Sequence, residues 1–339
     1  MTNYIGLDLH SKTSTFVVFN DNGEITHQAK IPTQKEAMVS FLGNLEGSKK
    51  LVFEETNVSQ WAYRFLKDRV NELIVCNPNY LPKKSGPKSD YRDALHLAMQ
   101  LRAGNLEKVH HSDTPDFDLR AANKYYADVI RRFVVLKKNL KAILRSEGIM
   151  IESRGRFWEN EGFYQQIESP VKKMIVEKMV EEILDCNKRV TDLRQQLSKN
   201  LLQLPTVDLL KTVPGVGSIR AHVIASFLGD GKRFDNKHKL WAYSMLVKYQ
   251  DESDGSIIRV RKVNGRAELK QAFIGAALNI MIGQENSLKN YYHELIEKKK
   301  FERRKARRAV ARKVASICLS IVKTGTAYND EIIKNNLSK

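Results

Sequence analysis

Cysteine is scarce in these 339 residues. Cys76, Cys186 and Cys318 are odd in number and far apart, which excludes a disulfide framework and a thiolate metal motif and fits a reducing compartment. Long apolar runs are also lacking, so no membrane-spanning helix and no membrane partner is expected. The opening MTNYIGLDLH holds an acid and no basic stretch, so no signal peptide is expected there. Acidic residues fall short of basic ones: 39 Asp and Glu stand against 57 Lys and Arg, for a formal net charge of +18. A field of that sign attracts polyanions, and nucleic acid is the expected partner. Hydrophobic residues make up 42% of the chain, enough to fold, and the length suits two or three domains.

What is present begins with short β-type segments. Asn3 to Asp8 and Lys12 to Phe19 read as strands, and Asp21-Asn22-Gly23 is a hairpin turn into a third strand, Glu24 to Ile31. Thr33 is placed to cap a helix carrying Ala37, Met38, Phe41 and Leu42. Leu51 to Phe53 reads as a buried strand ending at Glu54, followed by a helix from Ser59 to Arg69 and a strand from Leu73 to Cys76. Three strands in a meander, then alternating helix and strand, predict a mixed α/β sheet.

After Asp116 the pattern turns helical, with apolar positions from Tyr125 to Leu144 among many basic residues, and it breaks at Gly148 to Gly162. Ser169-Pro170 is a helix start, cap followed by proline. From there Met179, Ile183, Cys186, Val190, Leu193 and Leu197 form a heptad seam, read as a helical hairpin or short coiled coil, with a single packed helix as the alternative. Pro205 ends that helix. LLKTVPGVGSIRAHVIASFLGD, residues 209–230, has the pattern of a helix-hairpin-helix, in which the Gly215 and Gly217 N–H groups can hold a phosphate. Leu269 to Ile282 is a core helix. Lys298 to Lys313 holds ten basic residues and one acid and reads as a basic helix along a phosphate backbone, through Arg303, Arg304, Arg307 and Arg308.

Four acidic positions stand out: Asp8 and Glu54 or Glu55 at strand ends, and Asp90 with Asp93 in GPKSDYRDALHLA. Positions i and i+3 share a helix face, so the two aspartates point the same way. Taken alone, D-x-x-D is an ordinary acidic helix start. Four carboxylates brought together need compensating cations, and hard oxygen donors select Mg²⁺ or Mn²⁺. Lys88, just before the pair, can meet a phosphate oxygen.

GLDLH at 6–10, FEET at 53–56 and KSDYRDA at 88–94 resemble the D, E, D, D signature of the DEDD-type insertion-sequence transposases. This is the one-ten insertion-sequence family, also called bridge recombinases and related to the Piv DNA invertases. Each motif is short, and their order along the chain makes the resemblance specific. It implies a RuvC-like, RNase H-like domain at 1–115, a helical coiled-coil or dimerisation region at 116–205, a mostly α C-terminal domain at 206–328 and a tail at 329–339. Its E-x-T motif falls on Glu54-Glu55-Thr56 and so implies the metal-ligand role for Glu54, while strand alternation would turn Glu55 to the other face. Its second catalytic element, a serine after a Tyr-Ala-Gly-Leu-Val-Pro type segment, falls in LWAYSMLVKYQDESDGS at Ser253, with Ser256 as a rival. Met245 stands where the family has glycine, Lys248 where it has proline, and Asp254 where it has glycine. The basic stretch after it, with Arg259, Arg261 and Lys262, would hold the scissile strand. The resemblance implies serine attack giving a 5′-phosphoserine link, a structured bridge RNA as guide, donor and target duplex DNA, a homodimer assembling to a tetramer, and a bacterial cytoplasmic, nucleoid-associated setting. Two rival readings follow from the same residues: a metal-dependent nuclease or junction resolvase using water, and a non-catalytic nucleic-acid scaffold.

Overall fold

The computed structural model describes residues 1–82, 87, 89–111, 116–151, 155–199, 204–253 and 256–337, and the chain divides into two compact units, Met1–Asp113 and Thr114–Lys339. In the first, β1 (Thr2–Leu9), β2 (Thr13–Phe19) and β3 (Ile25–Pro32) form an antiparallel meander. Helix α1 (Lys35–Gly43) leads to β4 (Ser48–Glu54), and α2 (Ser59–Leu66) leads to β5 (Glu72–Cys76); both strands run parallel to their neighbours. The sheet order is β3-β2-β1-β4-β5, so β1 is central. Helix α3 (Asp90–Ala103) follows.

Alternation along β1 decides which helix covers which face. Ile5, Leu7 and Leu9, with Phe16, Val18, Leu51 and Phe53, pack on Met38 and Leu42 of α1 and Ala62 and Leu66 of α2. On the opposite face Val52, Ile74 and Cys76 meet Leu97 and Leu101 of α3. Gly6 belongs to that second face and lets α3 come very close: a Cβ there would lie 2.0 Å from the Ala94 carbonyl oxygen and 2.6 Å from the Ala98 nitrogen.

The expected Thr33 cap is not formed. Helix α1 starts after Gln34, whose extended backbone makes no side-chain cap. The Thr33 hydroxyl instead donates to the His10 carbonyl at 2.7 Å and lies 2.7 Å from Ser14 Oγ, while its N–H donates to the Lys12 carbonyl. Strand β3 runs as far as Pro32, which brings Thr33 against the β1–β2 turn instead of the helix end. The helix expected at Ser59 to Arg69 is α-helical only to Leu66 and closes in a 3₁₀ turn at Lys67–Arg69.

In the second unit α4 (Asp116–Ser146) packs along α6 (Pro170–Ser198), so a helical hairpin is present. Val176, Ile183, Val190 and Leu197, seven apart, are its buried stripe on α6, and Ser169 caps that helix with Pro170 at its first position. The stretch read from sequence only as a break at Gly148 to Gly162 runs on to Ile167 and holds the short α5 (Gly162–Gln165). It also supplies Ile149, Ile151, Phe157, Trp158, Tyr164 and Ile167 to a core with Phe133, Leu140 and Leu144 of α4. Then come α7 (Pro205–Lys211), α8 (Ser218–Leu228), α9 (Lys237–Tyr243), the hairpin β6 (Lys248–Ser253) and β7 (Ser256–Lys262), and the helices α10 (Ala267–Ile282), α11 (Ser287–Glu297), α12 (Arg303–Thr324) and α13 (Asp330–Leu337). One core joins α7 to α12, with Phe273, Ala276, Val310, Val314 and Cys318 fully buried. Among the described residues no helix is long and apolar enough to cross a membrane.

The basic run departs from expectation. The helix begins at Arg303, after Lys298 to Phe301, and the interleaved Ala309, Val310 and Ala311 are its core-facing stripe. Arg303, Arg304 and Arg308 are exposed and Arg307 is half-buried, so the run is the outer side of a core helix.

Candidate active site

Strand β1 carries Asp8 to its end on the face that α3 covers. Ser89 caps α3, its hydroxyl accepting from the Arg92 N–H at 3.3 Å, and this fixes Asp90 and Asp93 in the first turn. Because Gly6 admits α3 so closely, that first turn lies over the end of β1. Asp8, His10 and Asp90 each offer a ligand-type atom within 4.8 Å of the others. Burial raises the pKa of Asp8, the nearby His10 lowers it, and Asp93, Asp90 and Glu54 each raise it further. Of the four expected acids, Asp8 and Asp90 share that group, and Asp93 and Glu54 are near enough to Asp8 to raise its pKa. Asp90 moves the other way: Lys30 Nζ donates to its Oδ2 at 2.8 Å and lowers its pKa.

Glu54 closes β4 on the same face as Val52, toward α3. Its neighbour Glu55 is engaged elsewhere, paired with Nε2 of the buried His111, whose Nδ1 lies 2.8 Å from Gln60 Oε1. That pairing accords with the expectation that Glu55 turns away from Glu54.

The acids suit a divalent cation. Oδ2 of Asp8 is buried and accepts no hydrogen bond. Nε2 of His10 lies only 3.0 Å from it, near in distance but not aligned as a donor. An orphaned carboxylate oxygen facing other acids is the electrostatic signature of a place where a hard cation belongs. Beside it runs an open groove of about 640 Å³ lined by Thr15, Gln28, Lys30, Asp90 and Tyr91.

Two residues here were missed by sequence reasoning. His10 shares the strand parity of Asp8, two residues on, and that alternation was the available signal. Lys30 lies in one row with Asp8 across the sheet, through the pairs Asp8–Thr15 and Thr15–Lys30. That row follows from strand register, which sequence alone did not supply. The lysine set against Asp90 is Lys30; Lys88 lies outside the described residues.

The remaining expected positions lie in the second unit. Ser253 is the last residue of β6, opposite Ser256 in the hairpin register. Its side chain, those of Arg261 and Lys262, and all of Asp254 lie outside the described residues. Arg259 is exposed on β7. Gly215, at φ +77°, packs so closely on α10 that a Cβ would lie 2.3 Å from the Ala276 carbonyl oxygen. Gly217 differs: it is the exposed N-cap of α8 with open space where a Cβ would stand. It borders a cleft of about 860 Å³ that Arg194 and Arg220 also line.

Residues 5–148 match a DEDD-type transposase family model, and residues 207–293 match the transposase IS116/IS110/IS902 family. The chain belongs to the IS110-type transposases. Among its relatives is the y4qE protein of Sinorhizobium fredii, named as a transposase, which is 22% identical over 261 residues. That match covers 72% of this chain and 63% of y4qE, so the chain spans less than two thirds of that protein's length. The transposase for insertion sequence element IS1111A of Coxiella burnetii is 20% identical over 254 residues, covering 74% of this chain and 69% of that protein. The DEDD-type match covers the mixed α/β sheet unit from residue 5 onward and accords with a RuvC-like fold, and the unit after it is largely helical.

Proposed function

We propose that this IS110-type transposase cuts and rejoins DNA at the ends of an insertion sequence, with Asp8, Glu54, Asp90 and Asp93 as one divalent-cation site and Ser253 as the nucleophile. The observation that supports the reading is Asp8: its buried Oδ2 accepts no hydrogen bond, it shares a 4.8 Å group with Asp90 and His10, and Asp93, Asp90 and Glu54 raise its pKa. Mg²⁺ or Mn²⁺ bound there would polarise the scissile phosphate and steady the departing 3′ oxygen. The chain's own groups do the rest. Ser253 Oγ attacks the phosphorus, the bond from phosphorus to the 3′ oxygen breaks, and the serine proton ends on that oxygen as a 3′-hydroxyl. The 5′ phosphate stays on Ser253 as an ester. Bond energy is kept in that ester, so a new 3′-hydroxyl can attack it and rejoin strands without ATP.

Phosphate contacts hold the substrate in place without reading its sequence. Lys30 lines the groove beside the acids, with Lys88 as a further candidate. Gly215 shapes the turn that presents the Gly217 N–H. Arg259, Arg261 and Lys262 flank the serine hairpin, and Arg303, Arg304, Arg307 and Arg308 form the outer side of α12. Sequence is read for the protein by a structured bridge RNA, whose loops pair with donor and target duplexes; the net charge of +18 suits both nucleic acids. Residues 116–205 serve as the interface of a homodimer, and two dimers make the working tetramer, in the bacterial cytoplasm at the nucleoid. The C-terminal domain at 206–328 carries the serine.

The test is a suicide DNA substrate incubated with the protein, RNA transcribed from the DNA flanking its gene, and Mg²⁺. A protease-sensitive adduct that survives denaturation and maps to Ser253 is expected, lost in Ser253→Ala and kept in Ser256→Ala. Free 5′-phosphate ends with no adduct would assign the attack to water, as in a resolvase. Binding with no cleavage in any form would leave a scaffold.

A further inference from the structure

The acid cluster contains one side chain that is not an acid. His10 is the first residue after β1, and its Nε2 stands 3.0 Å from Asp8 Oδ2 in the group that Asp90 completes. A counter-ion would be expected to donate a hydrogen bond to that carboxylate, yet Asp8 Oδ2 accepts none. A ring nitrogen of His10 thus lies within 4.8 Å of ligand-type atoms of both Asp8 and Asp90, with no hydrogen bond to Asp8 Oδ2. Its backbone is fixed there: the Thr33 hydroxyl donates to the His10 carbonyl at 2.7 Å and is itself 2.7 Å from Ser14 Oγ. Both contacts persist whatever side chain occupies position 10. The side chain is 54% exposed, so packing does not explain its place.

We propose that His10 is a nitrogen donor to the cation held by the acid cluster, so that the site is a mixed nitrogen–oxygen centre that favours Mn²⁺ over Mg²⁺. The inference rests on reading the four acids as a divalent-cation site. Carboxylate oxygens alone serve Mg²⁺ well, because that ion is small, hard and reluctant to lose water. An imidazole in the donor set shifts the preference toward first-row transition ions. Asp8 and His10, two residues apart at the strand end, would approach the ion from the sheet, and Asp90 from α3.

The experiment titrates the full-length protein with MnCl₂ alone and follows electron paramagnetic resonance. The signal of free Mn²⁺ gives the affinity, and pulsed measurement of nitrogen-14 coupling shows whether an imidazole is bound. The wild type should show a histidine-type coupling, lost in His10→Gln and retained in His27→Gln, a histidine of β3 outside the cluster. Mn²⁺ affinity should fall about tenfold or more in His10→Gln, while Mg²⁺ affinity by competition should change by less than about threefold. Mn²⁺ bound without nitrogen coupling, or coupling that survives His10→Gln, overturns the assignment and leaves the acid site standing. Mn²⁺ binding that is unchanged in Asp8→Asn overturns the acid site itself, and the role of His10 with it.

Discussion

Burial raises the pKa of Asp8, His10 lowers it, and Asp93, Asp90 and Glu54 raise it again. The sign matters for stability. A carboxyl that holds its proton more tightly when folded loses stability as pH rises from its usual 3.8 through its raised value. Once ionised, Asp8 therefore opposes folding of the metal-free protein. Asp8→Asn should raise the unfolding free energy without metal, and remove the stabilisation that MnCl₂ gives the wild type. Thermal unfolding with and without MnCl₂ measures both, and a lower metal-free midpoint would mean that the pair with His10 outweighs the repulsion. Among single residues, Glu54 was singled out by the E-x-T motif of the resemblance, and alternation added only that Glu55 turns to the other face. His10 shares the strand parity of Asp8, but a histidine is no part of the acidic pattern.

Elements meet most tightly where α3 crosses β1. A methyl on Gly6 would sit 2.0 Å from the Ala94 carbonyl oxygen, so Gly6→Ala must push α3 away and carry Asp90 and Asp93 with it. The expected cost is about 1–3 kcal/mol or more in denaturant unfolding. Gly43→Ala, with open space around it, serves as the neutral control. A Gly6→Ala protein as stable as the wild type would show that the strand–helix approach is looser than described. The α7–α8 turn allows a similar separation. Gly215→Ala strains a φ of +77° against α10 and should cost about 2 kcal/mol or more. Gly217→Ala should cost less than about 1 kcal/mol and yet weaken DNA binding, because a Cβ there stands where a phosphate would approach the α8 N–H groups. Binding unchanged in Gly217→Ala would place the phosphate elsewhere. Met245 belongs to this scale too. It keeps φ at +52°, the left-handed turn that the family's glycine makes easily, so the turn survives the departure in sequence.

Across the whole molecule, periodicity carried most of the element reading. The meander, the alternating helices and strands and the heptad stripe of α6 all follow from where apolar residues recur. Periodicity did not reveal the Thr33 contact, because a cap and a strand-end clamp use the same hydroxyl. It also did not reveal that Ala309, Val310 and Ala311 turn a basic run into the outer side of a core helix. Nor did it show the row from Asp8 through Thr15 to Lys30, which depends on register. The candidate site was legible as four acids only through the order of short motifs; that Asp90 comes beside Asp8 depends on α3 lying against β1.

The central claim is that these acids form one catalytic centre. The most direct test measures DNA strand cleavage and nucleic-acid binding side by side for Asp8→Asn, Glu54→Gln, Asp90→Asn and Asp93→Asn. Each variant is predicted to lose cleavage by at least about a hundredfold, the scale of removing one group that acts only on the transition state, while binding stays within about threefold. Cleavage that persists in Asp8→Asn, with binding intact, would contradict the account.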